Sequence, residues 1–146
     1  MTDTPGTPLK RLTVQRHDEL PLSVGQTVKA LRYSGVSVQN TEVENLWFGR
    51  VHTAVGEISD PHHHGEANTG GYVLKGRGFI RFGARYEEVV YMEEGDFVFV
   101  PPFVPHIEGN ASRSEELIWL TTRTPDNIVV NLEDVDVAEI EIDYRE

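Results

Sequence analysis

The chain contains no cysteine. Disulfides, thiolate metal ligands and cysteine nucleophiles are therefore excluded, and the cytoplasm is the expected location. Long apolar runs are missing too. The longest, Phe97 to Val104, is interrupted by Pro101 and Pro102 and is far short of the roughly 20 residues that a membrane-spanning helix needs. Met1 to Pro8 is polar and holds no signal-peptide core, so no leader is expected there. Basic residues are scarce, 13 against 24 acids for a net charge of −11. A surface of that sign repels phosphate backbones and anionic lipid, which argues against nucleic acid and membranes as partners. Part of the excess is local: Glu133 to Glu146 holds seven acids against Arg145 alone, and reads as a solvated edge.

Helical periodicity is also missing, since no useful window shows a 3.6-residue apolar stripe with caps. What the chain has instead is a succession of short strand-like segments. They are Leu46 to Val55, Tyr72 to Lys75, Gly78 to Phe82, Glu87 to Met92, Phe97 to Val100, Ile107 to Gly109, Glu116 to Thr121 and Ile128 to Leu132. Leu9 to Leu20 and Val28 to Tyr33 are weaker candidates, and Val135 to Tyr144 reads as a last edge strand. Turn residues separate them at short, even intervals, among them Gly56, Gly76, Gly83, Gly95, Pro101–Pro102 and Pro125–Asp126. Many short strands with regular turns predict an all-β sandwich or barrel. Trp47, Val51 and Val55 alternate on one face of their strand. Phe97 to Val100 is apolar on both faces, as a strand within a double-layered sheet would be. Trp47, Trp119, Phe97 and Phe99 are expected in the core. Residues 1–8 are read as a flexible arm and 9–146 as one domain of ordinary size.

Within that frame lie two histidine clusters. The first reads Gly56-x5-His62-x-His64, closed by Gly76; the second reads Gly95-x5-Pro101-x4-His106-x3-Asn110. His-x-His puts two imidazoles on one face of a strand, because strand side chains alternate with period two. A third imidazole from another strand can complete one side of a metal's coordination sphere. By the same alternation His63 should point away from its neighbours. His52 is expected to be hydrogen-bonded or exposed rather than a fourth ligand, and His17 carries no signal.

These two segments, spanning Gly56 to Asn110, resemble the paired signature motifs of the cupin superfamily. The resemblance implies a double-stranded β-helix, or jelly roll, with one divalent ion held inside by His62, His64 and His106. Two positions depart from the family pattern. The first motif normally supplies a glutamate four or five residues after its second histidine, where this chain has Asn68 and Thr69. Glu66, two residues after His64, would need an altered loop to reach an ion. The second motif normally has glycine two residues after its first proline, where this chain has Phe103, so a different turn is expected there.

Three neutral imidazoles leave a divalent ion its full charge and about three octahedral positions open. Three-histidine cupins include thiol dioxygenases and a β-diketone-cleaving dioxygenase, and the resemblance to these is in ligand count. The expectation is a mononuclear metal enzyme, a dioxygenase of a small chelating metabolite, with Fe(II) favoured over Zn, Ni, Mn or Cu. The alternatives are a metal-dependent isomerase, cyclase or decarboxylase, or a non-catalytic binding protein. The sequence assigns no catalytic residue beyond the ligands. It contains no P-loop, no dinucleotide-binding glycine fingerprint and no Gly-x-Ser-x-Gly elbow. Strand-like segments at both ends of the motif region, Leu9 to Tyr33 and Ile128 to Tyr144, predict a homodimer built on strand pairing.

Overall fold

The computed structural model describes residues 2–4, 7–8, 11–27, 29–133 and 135–146. Within the N-terminal arm, β1 (Thr2–Thr4) pairs antiparallel with β2 (Thr7–Pro8). The body comprises β3 (Leu31–Val36), β4 (Trp47–Thr53), β5 (His62–His63), β6 (Asn68–Lys75), β7 (Arg77–Phe82), β8 (Glu88–Glu93), β9 (Phe97–Val100), β10 (His106–Asn110), β11 (Leu117–Thr124) and β12 (Val130–Asn131). Two five-stranded antiparallel sheets face each other, in the orders β12-β5-β10-β7-β8 and β3-β4-β11-β6-β9. From β4 onward successive strands cross between the sheets, apart from the β7–β8 hairpin, which is the double-stranded β-helix. No helix among the described residues is long and apolar enough to cross a membrane.

Alternation builds the core. In β4, Trp47, Gly49, Val51 and Thr53 point inward and are buried. Val55, expected on that face, lies just past the strand and is exposed. In β11 the inward set is Leu117, Trp119, Thr121 and Arg123. One apolar cluster including Trp47, Val51, Val73, Ile80, Met92, Leu117 and Trp119 packs between the sheets. Truncating either buried tryptophan would cost about 3–5 kcal/mol. Glycines let this core close. A Cβ on Gly78 would lie 2.7 Å from the Trp119 ring, and one on Gly49 would lie 2.3 Å from the Tyr33 carbonyl oxygen.

A second cluster lies on the outer face of the first sheet, where Phe79 and Ile107 are covered by Val135, Val137, Ile140 and Ile142. This corrects the expected C-terminal edge strand. The segment has only a short 3₁₀ turn at Val137–Glu139. Its phase slip at Ala138 reflects a strap lying across a sheet rather than a strand pairing along it. Residues 11–20 form no strand either, while Leu9 and Lys10 lie outside the described residues. The strand expected from Val28 begins at Leu31, and Val28 is likewise outside.

Phe97 and Phe99 are not core residues. They are 80% and 63% exposed, on the outer face of the second sheet, while Val98 and Val100 face inward. The apolar strap lies over the first sheet, so the two phenylalanines of β9 stay exposed.

Candidate metal centre

β5 is short, bounded by Pro61 before it and Gly65 after it. It lies between β12 and β10 and pairs His62 directly with His106. Alternation turns His62 and His64 inward, where both are buried, and leaves His63 half-buried on the other side. His63 Nδ1 accepts from the Gly65 amide at 2.9 Å and stays outside the cluster. His62, His64 and His106 bring one ligand nitrogen each to within 4.8 Å of one another. Their ring centroids are 4.3–5.0 Å apart.

The other nitrogen of each ring is fixed by backbone. Nδ1 of His62 lies 2.9 Å from the Asp60 carbonyl, that of His64 2.7 Å from Ile128, and that of His106 2.9 Å from Val104. A carbonyl oxygen only accepts, so each Nδ1 carries the proton and each Nε2 presents a lone pair. Burial pulls all three pKa values below the ordinary imidazole value, opposed at His106 by the Glu108 carboxylate. The rings are therefore neutral at neutral pH, as ligation requires. His62 Nε2 is buried with no hydrogen-bond partner among the described residues. An orphaned lone pair among imidazoles whose tautomers are already set fits a divalent ion.

The positions that depart from the family motif are now placed. Glu66 and Asn68 are exposed. Thr69 is buried, and its Oγ1 accepts from Arg123 Nε at 3.1 Å. Phe103 keeps a left-handed backbone, φ 60°, where a different turn was expected. The glycine-type turn is retained by a residue that finds it strained, held by a Phe103 N–H bond to the Gly65 carbonyl at 2.8 Å. His52 accepts from Arg50 Nε at 2.8 Å and lies 3.3 Å from Glu116, away from the cluster. Asn110 holds the Thr53 and Glu115 carbonyls and is a structural residue.

Three charged residues that the sequence reading did not single out complete the site. Glu108 sits two positions after His106 on β10, so alternation puts it on the same inner face. Its Oε1 is 3.9 Å from His62 Nε2 and 3.2 Å from Arg32 Nη2. Arg32 is fully buried on β3 and also donates to Thr27. Arg123 on β11 donates from Nη2 to His64 Nε2 at 3.1 Å and from Nη1 to Asn127 Oδ1 at 3.0 Å. Burial, and then the charge of Arg32, lower its pKa to about 9, which leaves it a cation at neutral pH. The available signal was period two: His106-x-Glu108 and Trp119-x-Thr121-x-Arg123 each put a charge in phase with inward residues.

The cupin domain family model matches residues 49–123. The chain is a cupin. No curated protein sequence matches it. Among solved structures, the oxalate decarboxylase of Bacillus subtilis at pH 4.6 superposes with a TM-score of 0.62 at 20% identity, over 73% of this cupin and 28% of that chain. KdgF from Halomonas sp. gives a TM-score of 0.60 at 17% identity, over 77% and 94%. An uncharacterized protein with a double-stranded β-helix domain from Klebsiella pneumoniae subsp. pneumoniae MGH 78578 gives 0.62 at 18%, over 85% and 100%. This cupin thus spans under a third of the decarboxylase chain. At these identities the likeness shows the fold alone.

Proposed function

We propose that this cupin is a mononuclear metal enzyme whose His62, His64 and His106 hold one divalent ion, Fe(II) by preference, and that it is a dioxygenase of a small chelating metabolite. The observation that carries this reading is the cluster of three neutral imidazoles with every Nδ1 tied to a carbonyl and every Nε2 turned inward. With no protein carboxylate among those ligands, a bound ion keeps its full charge and about three open positions, which suits a bidentate ligand plus a small molecule. Backbone carbonyls hold the imidazoles in place, and the barrel walls exclude bulk water.

A second reading rests on Glu108. Its carboxylate, held by Arg32, lies close enough to the cluster to give or take a proton from a bound ligand. That arrangement suits a lyase, isomerase or decarboxylase working by polarisation without oxygen. Several of the structurally similar proteins are oxalate decarboxylases, one of them described with Mn(II) centers.

The test has two stages. Untagged protein is analysed for metal: replacing His62, His64 or His106 by alanine should empty the site, while His63→Ala should leave it filled. Full occupancy in His106→Ala refutes the ligand assignment. Oxygen uptake by iron-loaded protein is then followed with diketones, thiols and hydroxy-aromatic acids. Turnover that proceeds equally without oxygen and is lost in Glu108→Gln selects the second reading. Tight binding of a ligand without turnover under either condition makes the protein a binding cupin.

A further inference from the structure

Arg123 is a cation taken out of water with no acid in direct contact, the Glu108 carboxylate that acts on it being paired with Arg32. It is 3% exposed, and it makes no ion pair among the described residues. Its hydrogen-bond partners, Thr69 Oγ1, Asn127 Oδ1 and His64 Nε2, are all neutral. Arg32, the other buried guanidinium, differs in having Glu108 at 3.2 Å. Burying a cation this way is costly unless an anion arrives.

The bond to His64 sharpens the point. Nε2 of a neutral imidazole has one lone pair. An ion that takes it displaces the Arg123 Nη2 donor, which then needs a new acceptor at the cluster. The charge account agrees. A divalent ion, Arg32 and Arg123 together outweigh the single negative charge of Glu108. The loaded site is therefore strongly positive and calls for an anionic ligand.

Next to His106 a cavity of about 200 Å³ opens between the sheets, walled by Ile80, Phe82, Val90, Val100 and Val104. Apart from the imidazole, these walls are apolar. A dry apolar cavity of roughly 150 Å³ accepts benzene, so a ring or branched alkyl group fits here. Arg123 reaches the cluster at His64 and the cavity reaches it at His106, whose ring centroids are 5.0 Å apart.

We infer that the ligand of this site is a chelating carboxylate with a compact apolar body, its carboxylate paired with Arg123 and its body in the cavity beside His106. A bare dicarboxylate or a short 2-oxo acid would leave the cavity unfilled. The inference rests on the metal reading given under Proposed function, and its experiment keeps the two separable.

Full-length protein is loaded with zinc, which is redox-inert, and zinc stoichiometry is measured first. Protein that takes up no zinc refutes the metal reading before any acid is added. Phenylpyruvate and pyruvate are then titrated calorimetrically. Phenylpyruvate should bind at least about tenfold more tightly, because burying its ring removes apolar area from water. Arg123→Gln should still bind zinc but lose at least about tenfold for both acids, the loss expected of a buried charge-assisted bond. Phe82→Ala, at a partly exposed position on the cavity wall and checked for folding by its zinc uptake, should weaken phenylpyruvate and leave pyruvate unchanged. Equal affinity for the two acids overturns the apolar half of the inference. Undiminished binding in folded Arg123→Gln overturns the anionic half. Should that variant not fold, the neutral methyl ester of phenylpyruvate titrated into wild-type protein decides the anionic half: binding as tight as that of the acid overturns it.

Discussion

At the scale of single residues, the site is defined by buried groups whose protonation is set by their surroundings. His62, His64 and His106 are neutral when folded because burial lowers their pKa values. In the unfolded chain they titrate near about 6.5. The unfolded state therefore binds more protons below that pH, and the metal-free protein is at full stability above it. Stability falls as pH drops below about 6.5, each histidine adding a slope approaching roughly 1.4 kcal/mol per pH unit. Urea unfolding of metal-free protein between about pH 7.5 and pH 5.5, mostly above the carboxylate range, should show the decline. His62→Ala should make it shallower, and an unchanged slope would contradict the burial argument. Glu108 offers a second prediction. Glu108→Gln strands Arg32 as a buried charge and should cost about 3–5 kcal/mol, whereas Arg32→Met with Glu108→Gln should recover much of it. Denaturation midpoints for the single and double variants decide whether the pair is coupled.

Among the elements, the body strands were legible because each obeys one local rule: alternation between turn residues. Gly76, Gly83 and Gly95 all take positive φ where turns were expected, and the segments from Trp47 to Thr124 form strands close to those expected. The three histidines were legible as one cluster because β5 and β10 pair in register at His62 and His106. The misses share one cause, since a period of two says which residues share a face but not what covers that face. Phe97 and Phe99 read as core although they are exposed on the outer face, and Val135 to Ile142 reads as a strand although it straps Phe79 and Ile107. Arg32 and Glu108 become partners only through packing of distant strands. The strap carries its own prediction. Deleting residues 135–146 removes Val135, Val137, Ile140 and Ile142 from the outer sheet along with the Arg145 N–H bond to the Ala111 carbonyl. The loss should be at least about 3 kcal/mol, by the area of apolar surface uncovered. Urea unfolding measures it, and increased binding of an apolar dye should accompany it. A truncated chain as stable as the full one would show that the strap is dispensable.

For the whole molecule, the two sheets are unequal on their outer faces, and the inequality bears on assembly. The first sheet is covered by its own C-terminal strap, and β12 pairs with β5 of the same chain. The C-terminal segment expected to exchange with a partner is thus occupied at home. The second sheet is covered only in part: Gln15, His17 and Leu20 lie beside Val36, Phe48 and Arg50, with Arg50 Nη2 donating to the His17 carbonyl at 3.3 Å, while the β9 side is exposed. Tyr33, Arg50, Leu120, Tyr72 and Phe97 lie in register across its outer face, as do Val36, Phe48, Thr122, Gly70 and Phe99 beside them. Phe97, Phe99 and Phe48 are 80%, 63% and 44% exposed. Neither row holds an acid, in a chain that carries 24 of them. Two copies of net charge −11 repel least where their acids are absent, and the exposed Phe97 and Phe99 rings are stabilised by burial. We propose that two copies pair through this face in a two-fold dimer, the commonest closed arrangement. Light scattering over a range of concentrations should give a mass near twice 16.5 kDa. Phe97→Asp with Phe99→Asp should return it to the monomer value without lowering zinc binding. A dimer that survives those substitutions but is lost on deleting residues 1–10 would assign the contact to exchange of the N-terminal arm. A mass near 16.5 kDa at every concentration would refute the dimer altogether.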